Sequence, residues 1–207
     1  MKSFFLLIFT LLSNLVYSQT DKDSLLNIDI NILVEEMEFM YGYDQTMREY
    51  IQYKSFDKSE TNRIENLADS LREVEINKRK LESVSLEITI REKYINSFDA
   101  LHTERMIEII KKYGFPSKER IKKHYKKDFI DPEFDPLILL IHSPKKYWEE
   151  LKVLMLIEYK KGIINQCIYG YSLWHFNGRK SFQPMLENGW KFIEENGIKR
   201  IETTCGK

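Results

Sequence analysis

Helix breakers are distributed very unevenly along this chain. Residues 20 to 113 contain one glycine, Gly42, and no proline, whereas residues 114 to 207 contain seven glycines and all five prolines. Proline removes a backbone donor and clashes with the preceding helical turn, and glycine costs conformational entropy, so a stretch nearly free of both is predicted to form long helices. From Asp29, a candidate N-cap, apolar side chains recur at Leu33, Met37, Met40, Met47 and Ile51, the spacing of one helical face, and this helix is expected to end near Ser55-Phe56-Asp57. A second helix is predicted from about Ser59 to Leu81, with Ile64, Leu67, Leu71, Val74 and Leu81 inward. A third, from about Ser85 to Tyr113, carries Ile90, Tyr94, Phe98, Leu101, Ile109 and Tyr113 and stops at Gly114 with Pro116 behind it.

The second half reads as shorter elements. Lys118 to Lys127 holds six Lys or Arg against one Glu, followed by Asp128, Asp131, Glu133 and Asp135, which reads as a solvated helix with its own counter-charges rather than an anion-binding patch. Pro132 or Pro136 opens an apolar helix through His142. Pro144 opens another through Lys161, with Trp148, Leu151, Leu154, Met155 and Ile157 as its buried face, and a further helix covers Asn165 to Phe176. The tail, with Gly178, Gly189 and Gly197 around short apolar runs, is expected to be irregular or a hairpin. The expectation is therefore an all-α, single-domain helical bundle over residues 19 to 207, with long N-terminal and shorter C-terminal helices.

Charge excludes some functions. Lys plus Arg equals Asp plus Glu at 32 each, so there is no cationic excess to drive nucleic-acid binding, and none is expected. The first residues look like a secretory signal peptide: Met1-Lys2, an apolar run from Phe4 to Leu12, then Ser13, Asn14 and small residues, with cleavage expected after Ser18. An uncleaved anchor is disfavoured by length, because Phe4 to Tyr17 as helix spans about 21 Å against a hydrocarbon core of roughly 30 Å. No later stretch is long enough to span a membrane, so the expected location is secreted or periplasmic. Export lets the two cysteines, Cys167 and Cys205, form a bridge; the alternative is two free thiols.

Polar residues in apolar stripes are the candidates for chemistry. Asp44 falls between Met40 and Met47, where a core residue belongs, and a buried carboxylate needs a partner. Arg48 lies one turn along the same face and Gln45 adds a neutral donor and acceptor. The pair reads either as a structural ion pair or as an acid or anion-recognition pair in an interhelical pocket. His102, His124, His142 and His175 lack the mutual spacing of a metal motif, and no metal or cofactor is expected. His142 ends an apolar run, and His175 lies close to Arg179. No nucleophile elbow, phosphate loop or dinucleotide fingerprint is present in the sequence.

Taken in order, Asp44-Gln45 with Arg48, Asp99 ahead of Ile109-Ile110 and Gly114-Phe115-Pro116, the apolar run into His142, and Tyr159 to Gly162 before Tyr169 form a pattern. It resembles a bacterial family of unknown function with an Asp-Gln-x-x-Arg helix, a Gly-aromatic-Pro turn and a Gln-His closing an apolar helix. The resemblance covers about residues 31 to 183 and implies an all-helical fold without supplying an activity. This chain departs from it in three places. Ile141 stands in place of the Gln, Leu173-Trp174-His175 replaces an Asp-Arg pair, and Ser181-Phe182-Gln183-Pro184 follows Gly178-Arg179 where a Tyr-Gly-Thr-Gln segment is usual. The expected function is binding of a protein or small-molecule ligand without catalysis. The alternative is a hydrolase using Asp44, His142 or His175 as acid-base groups and Arg48 or Arg179 to hold an anion.

Overall fold

A computed structural model describes residues 21–79, 83–195 and 197–205. The expected cleavage after Ser18 and the inward Leu81 both lie outside the described residues. Helices dominate: α1 (Lys2–Tyr53), α2 (Lys58–Glu65), α3 (Asp69–Lys78), α4 (Val84–Ile90), α5 (Ser97–Tyr113), α6 (Lys118–His124), α7 (Pro136–Ile141), α8 (Trp148–Lys160), α9 (Gln166–Phe176) and the short α10 (Gln183–Leu186). The chain closes with the strands β1 (Trp190–Glu195) and β2 (Ile198–Thr203), an antiparallel hairpin in which Trp190 faces Thr203 and Glu195 faces Ile198.

The core is built where α1, α5 and α7 pack on one another. On α1 the buried positions Leu26, Ile30, Leu33, Met37, Met40 and Asp44 recur at alternating steps of four and three, which keeps them on one face. Helix α5 runs antiparallel to α1, since Asp29 accepts from the Tyr113 hydroxyl at 2.6 Å near one end while Arg48 reaches Asp99 near the other. Its buried Met106, Ile109 and Ile110 meet the α1 stripe, and Leu139 and Leu140 of α7 close the cluster. Asp135 caps α7 by accepting from the Leu137 N–H at 2.9 Å, and Pro136 follows at the first helical position.

Several expectations change in the folded chain. Asp29 is not an N-cap: α1 runs unbroken through it, and its carboxylate is tied to Tyr113 and Lys112 instead. The second helix is two helices, interrupted at Asn66–Ala68, where Ala68 is extended. Of its apolar stripe only Ile64 is fully buried, and Leu71 and Val74 face solvent, because α3 buries no residue at all. What ties α3 down is ionic, Arg79 and Arg63 linking Glu60 with Glu75.

The third helix differs in phase. A π-helical segment, Arg91–Asn96, joins α4 to α5, and its extra residue per turn rotates the buried face. Ile95, Asp99, His102 and Met106 therefore point inward, while Tyr94 and Leu101 are exposed. In α8, Ile157 is outward and Glu158 is buried in its place. The bridge between Cys167 and Cys205 is formed, with 6.0 Å between the Cα atoms, and staples the start of α9 to the end of the hairpin. Gly189 packs against it with φ of 78°, and an added Cβ would lie 2.7 Å from the Cys167 sulfur.

Candidate functional site

Asp44 occupies the core-facing stripe of α1, and its side chain is only 2% exposed. Such a carboxylate is sustained by the groups around it. Arg48 donates from Nε to Asp44 Oδ1 at 2.9 Å, Gln45 donates from Nε2 to Oδ2 at 2.7 Å, and His142 Nδ1 lies 2.9 Å from Oδ2 and 3.1 Å from Oδ1. The helical spacing of Asp44 and Arg48 brings the first contact about. His142 arrives from a different element, as the residue that ends α7.

Arg48 also spans to α5, donating to Asp99 Oδ1 at 2.6 Å. It thus joins two buried carboxylates on two helices. The two respond differently to the same cation. For Asp44, burial pushes the pKa up, but the hydrogen bond and charge of His142 together with Arg48 overcome it and leave the carboxyl below its ordinary range. For Asp99, burial dominates over Arg48, with Asp44 adding to it, and the pKa is raised. His102 sits beside them with its pKa lowered by burial despite the pull of Asp44.

The Asp44 carboxylate can only accept, so His142 donates to it from Nδ1–H and its Nε2 is directed away from the carboxylate; among the described residues Nε2 has no hydrogen-bond partner. The ring is 25% exposed and Arg48 31%, so this edge of the cluster reaches the surface. The other edge is closed. The crevice that Asp44 and Asp99 line with Tyr43, Phe98 and His102 has about 150 Å³ between its atoms and no space for even a water-sized guest.

Of the six polar residues singled out in the sequence, Asp44, Gln45, Arg48 and His142 form one hydrogen-bonded unit. His175 and Arg179 make no bond to it, but they are electrostatic neighbours: burial first, then the charges of Arg179 and His142, hold the His175 pKa down to about 4. The His175 ring packs edge-on to Tyr171 and Trp174, and both its Nε2 and the Trp174 Nε1 are buried without partners. Arg179 stands just past α9 with a left-handed φ of 57°. His124 is not part of the site and bonds Asn27.

Asp99 and His102 are the members that sequence reading misses as site residues. The signal was present, since both interrupt the inward stripe Ile95, Asp99, His102, Met106, but the π segment hides the phase of that stripe. Among the described residues, no group of three or more His, Cys, Asp and Glu side chains could hold a metal. None of the described helices is long and apolar enough to cross a membrane. No family model matches the chain, and no curated protein or solved structure matches it either.

Proposed function

We propose that this is an exported helical binding domain that acts without catalysis, a divergent member of the family its motifs resemble. Its ligand or partner docks at the edge where His142 and Arg48 reach the surface. The observation that carries this reading is how the charges are used. Asp44 has all its strong partners inside the protein and the crevice behind it is filled, so the cluster is a rigid, compensated unit that offers a fixed imidazole and a guanidinium edge outward. Export is supported by the apolar N-terminal run and by the Cys167–Cys205 bridge, a bond that oxidising compartments maintain. Mass spectrometry of the protein from its host should find an N-terminus near Gln19, and a retained Met1 on a cytoplasmic product rejects export.

A thermal-shift screen of small anions and metabolites tests the binding reading. Hits whose stabilisation disappears in His142→Gln and Arg48→Met, with the unliganded melting temperature within a few degrees of wild type, support it. Stabilisation that survives both variants rejects the site.

One observation favours the hydrolase alternative. Asp44 orients His142 as a triad carboxylate orients its histidine, and Asp44 and Asp99 are shifted in opposite directions, as an acid and a base in one site often are. In that reading Arg48 or Arg179 holds an anionic group and His175 assists. Turnover of ester or phosphoester substrates that is lost in His142→Gln would establish it in place of binding alone.

A further inference from the structure

A second concavity lies along α1 where the loop between α6 and α7 folds beside it, with a volume of about 570 Å³. That size is in the range of small-molecule sites. Its apolar surface comes from Phe39, Tyr43 and Ile130, and its charged lining is acidic, from Glu35, Glu38 and Asp131. Phe39 and Ile130 are 72% and 87% exposed, so the apolar wall is open to solvent.

Glu38 distinguishes this groove from an ordinary surface dip. The residue is only 8% exposed, and one oxygen, Oε1, accepts from the Ile130 N–H at 2.8 Å. The other, Oε2, is buried and has no hydrogen-bond partner. A buried carboxylate oxygen without a donor is costly and uncommon in folded proteins. Lys127 is committed to Glu35 at 3.1 Å and does not bond Glu38. The groove therefore supplies an apolar wall and a net negative lining, and one of its lining residues, Glu38, holds an acceptor without a donor.

We propose that this groove binds a small amphiphilic cation, an amine with an apolar chain, whose ammonium draws the buried Glu38 Oε2 round to accept from it while the chain lies on Phe39, Tyr43 and Ile130. Glu35 and Asp131 add to the attraction, and an anionic amphiphile of the same length is repelled. The groove shares Tyr43 and Met47 with the crevice behind Asp44 but uses neither Asp44, Arg48 nor His142, so the proposal does not rest on the function assigned to that cluster.

Isothermal titration of the full chain at low ionic strength with octylammonium, octanol and octanoate tests it. Octylammonium should bind at least tenfold more tightly than octanol, and octanoate should not bind. Glu38→Gln keeps an amide oxygen for the Ile130 N–H and should erase the tenfold preference, with the circular dichroism spectrum unchanged. Phe39→Ala, at an exposed position, should weaken octylammonium and octanol alike. Equal binding of the three probes, or a preference that survives Glu38→Gln, overturns the proposal. If Glu38→Gln unfolds, an unchanged octylammonium affinity in Phe39→Ala overturns it instead.

Discussion

Buried charge is spent differently at two places in this protein. At the turn after α5, Glu158 accepts from the Phe115 N–H at 2.7 Å, and Arg120 donates to the carbonyls of Tyr113 and Phe115, both at 2.8 Å, and to Asp23 at 2.6 Å. Gly114, with φ of 76°, fits between them, since a Cβ there would come within 3.0 Å of Glu158 Oε2 and 3.1 Å of Arg120. The ionic groups at this turn mainly satisfy backbone atoms that a helix end leaves open. At Asp44 the bonds run between side chains, and the His142 Nε2 is left over. Charge absorbed by the backbone builds the fold, whereas charge held in a side-chain network with an open edge is available to a ligand.

That contrast breaks first at Arg120. Arg120→Met removes three hydrogen bonds, to Asp23 and to the carbonyls of Tyr113 and Phe115, from a side chain only 11% exposed. The expected loss is about 3–5 kcal/mol in urea unfolding. A loss no larger than that of Arg48→Met would erase the distinction between the two regions. The disulfide should rank next. Replacing Cys167 and Cys205 together by Ser opens a loop of sequence separation 38, and the chain-entropy treatment puts the cost at about 4 kcal/mol, with measured losses commonly about 2–5 kcal/mol. Thiol titration of the denatured, unreduced wild type should count no free thiol.

Acid should then act on the α9 neighbourhood. His175 has an ordinary pKa of 6.5 and a folded one of about 4, so above pH 6.5 it is neutral in both states and contributes no pH dependence. As pH falls from 6.5 to 4 the unfolded chain takes up a proton that the folded one refuses, and stability declines by at most about 3 kcal/mol. Urea midpoints measured across that window should flatten in His175→Gln. Asp44 has linkage of the same sign in a lower window: its carboxyl is depressed, so its contribution is present above its ordinary value of 3.8 and is lost as pH falls below it. The smallest effect is expected from Asp44→Asn. Arg48 keeps Asp99 at 2.6 Å, so no charge is stranded, and a loss of about 1 kcal/mol, or about 2–4 °C in melting temperature, should follow. Collapse of the fold in Asp44→Asn, rescued by apolar replacement of both Asp44 and Arg48, would make this pair structural after all.

Much of this arrangement is legible before folding. The α1 stripe exposes Asp44 as an intruder because helical periodicity is strict, so a polar residue at a core position stands out, and Arg48 follows from the spacing of one turn. A proline at 132 or 136 and Asn165 mark the starts of α7 and α9 in the sequence, and in the folded chain Asp135 and Asn165 cap them by accepting backbone hydrogen bonds. The periodicity argument fails where the helix itself changes pitch: the π segment at Arg91–Asn96 moves the inward face of α5 and conceals Asp99 and His102. It also fails at α3, whose apolar Leu71 and Val74 follow a helical rhythm without any neighbouring element to cover them.

The sequence by itself determined the helical class, the breakpoints at Gly114 and before α7 and α9, and the Asp44–Arg48 neighbour pair, because each depends on contacts within a few residues. Only the tertiary structure decided that His142, distant in sequence, turns Nδ1 onto Asp44, that Arg48 reaches across to Asp99, that Cys167 and Cys205 meet, and that Glu38 is buried with one oxygen unpaired. Those outcomes depend on how α1, α5, α7 and the loop before α7 are docked and, for the cysteines, on how α9 meets the hairpin. Helix docking is set by the summed fit of many small apolar contacts, and no local pattern carries that sum.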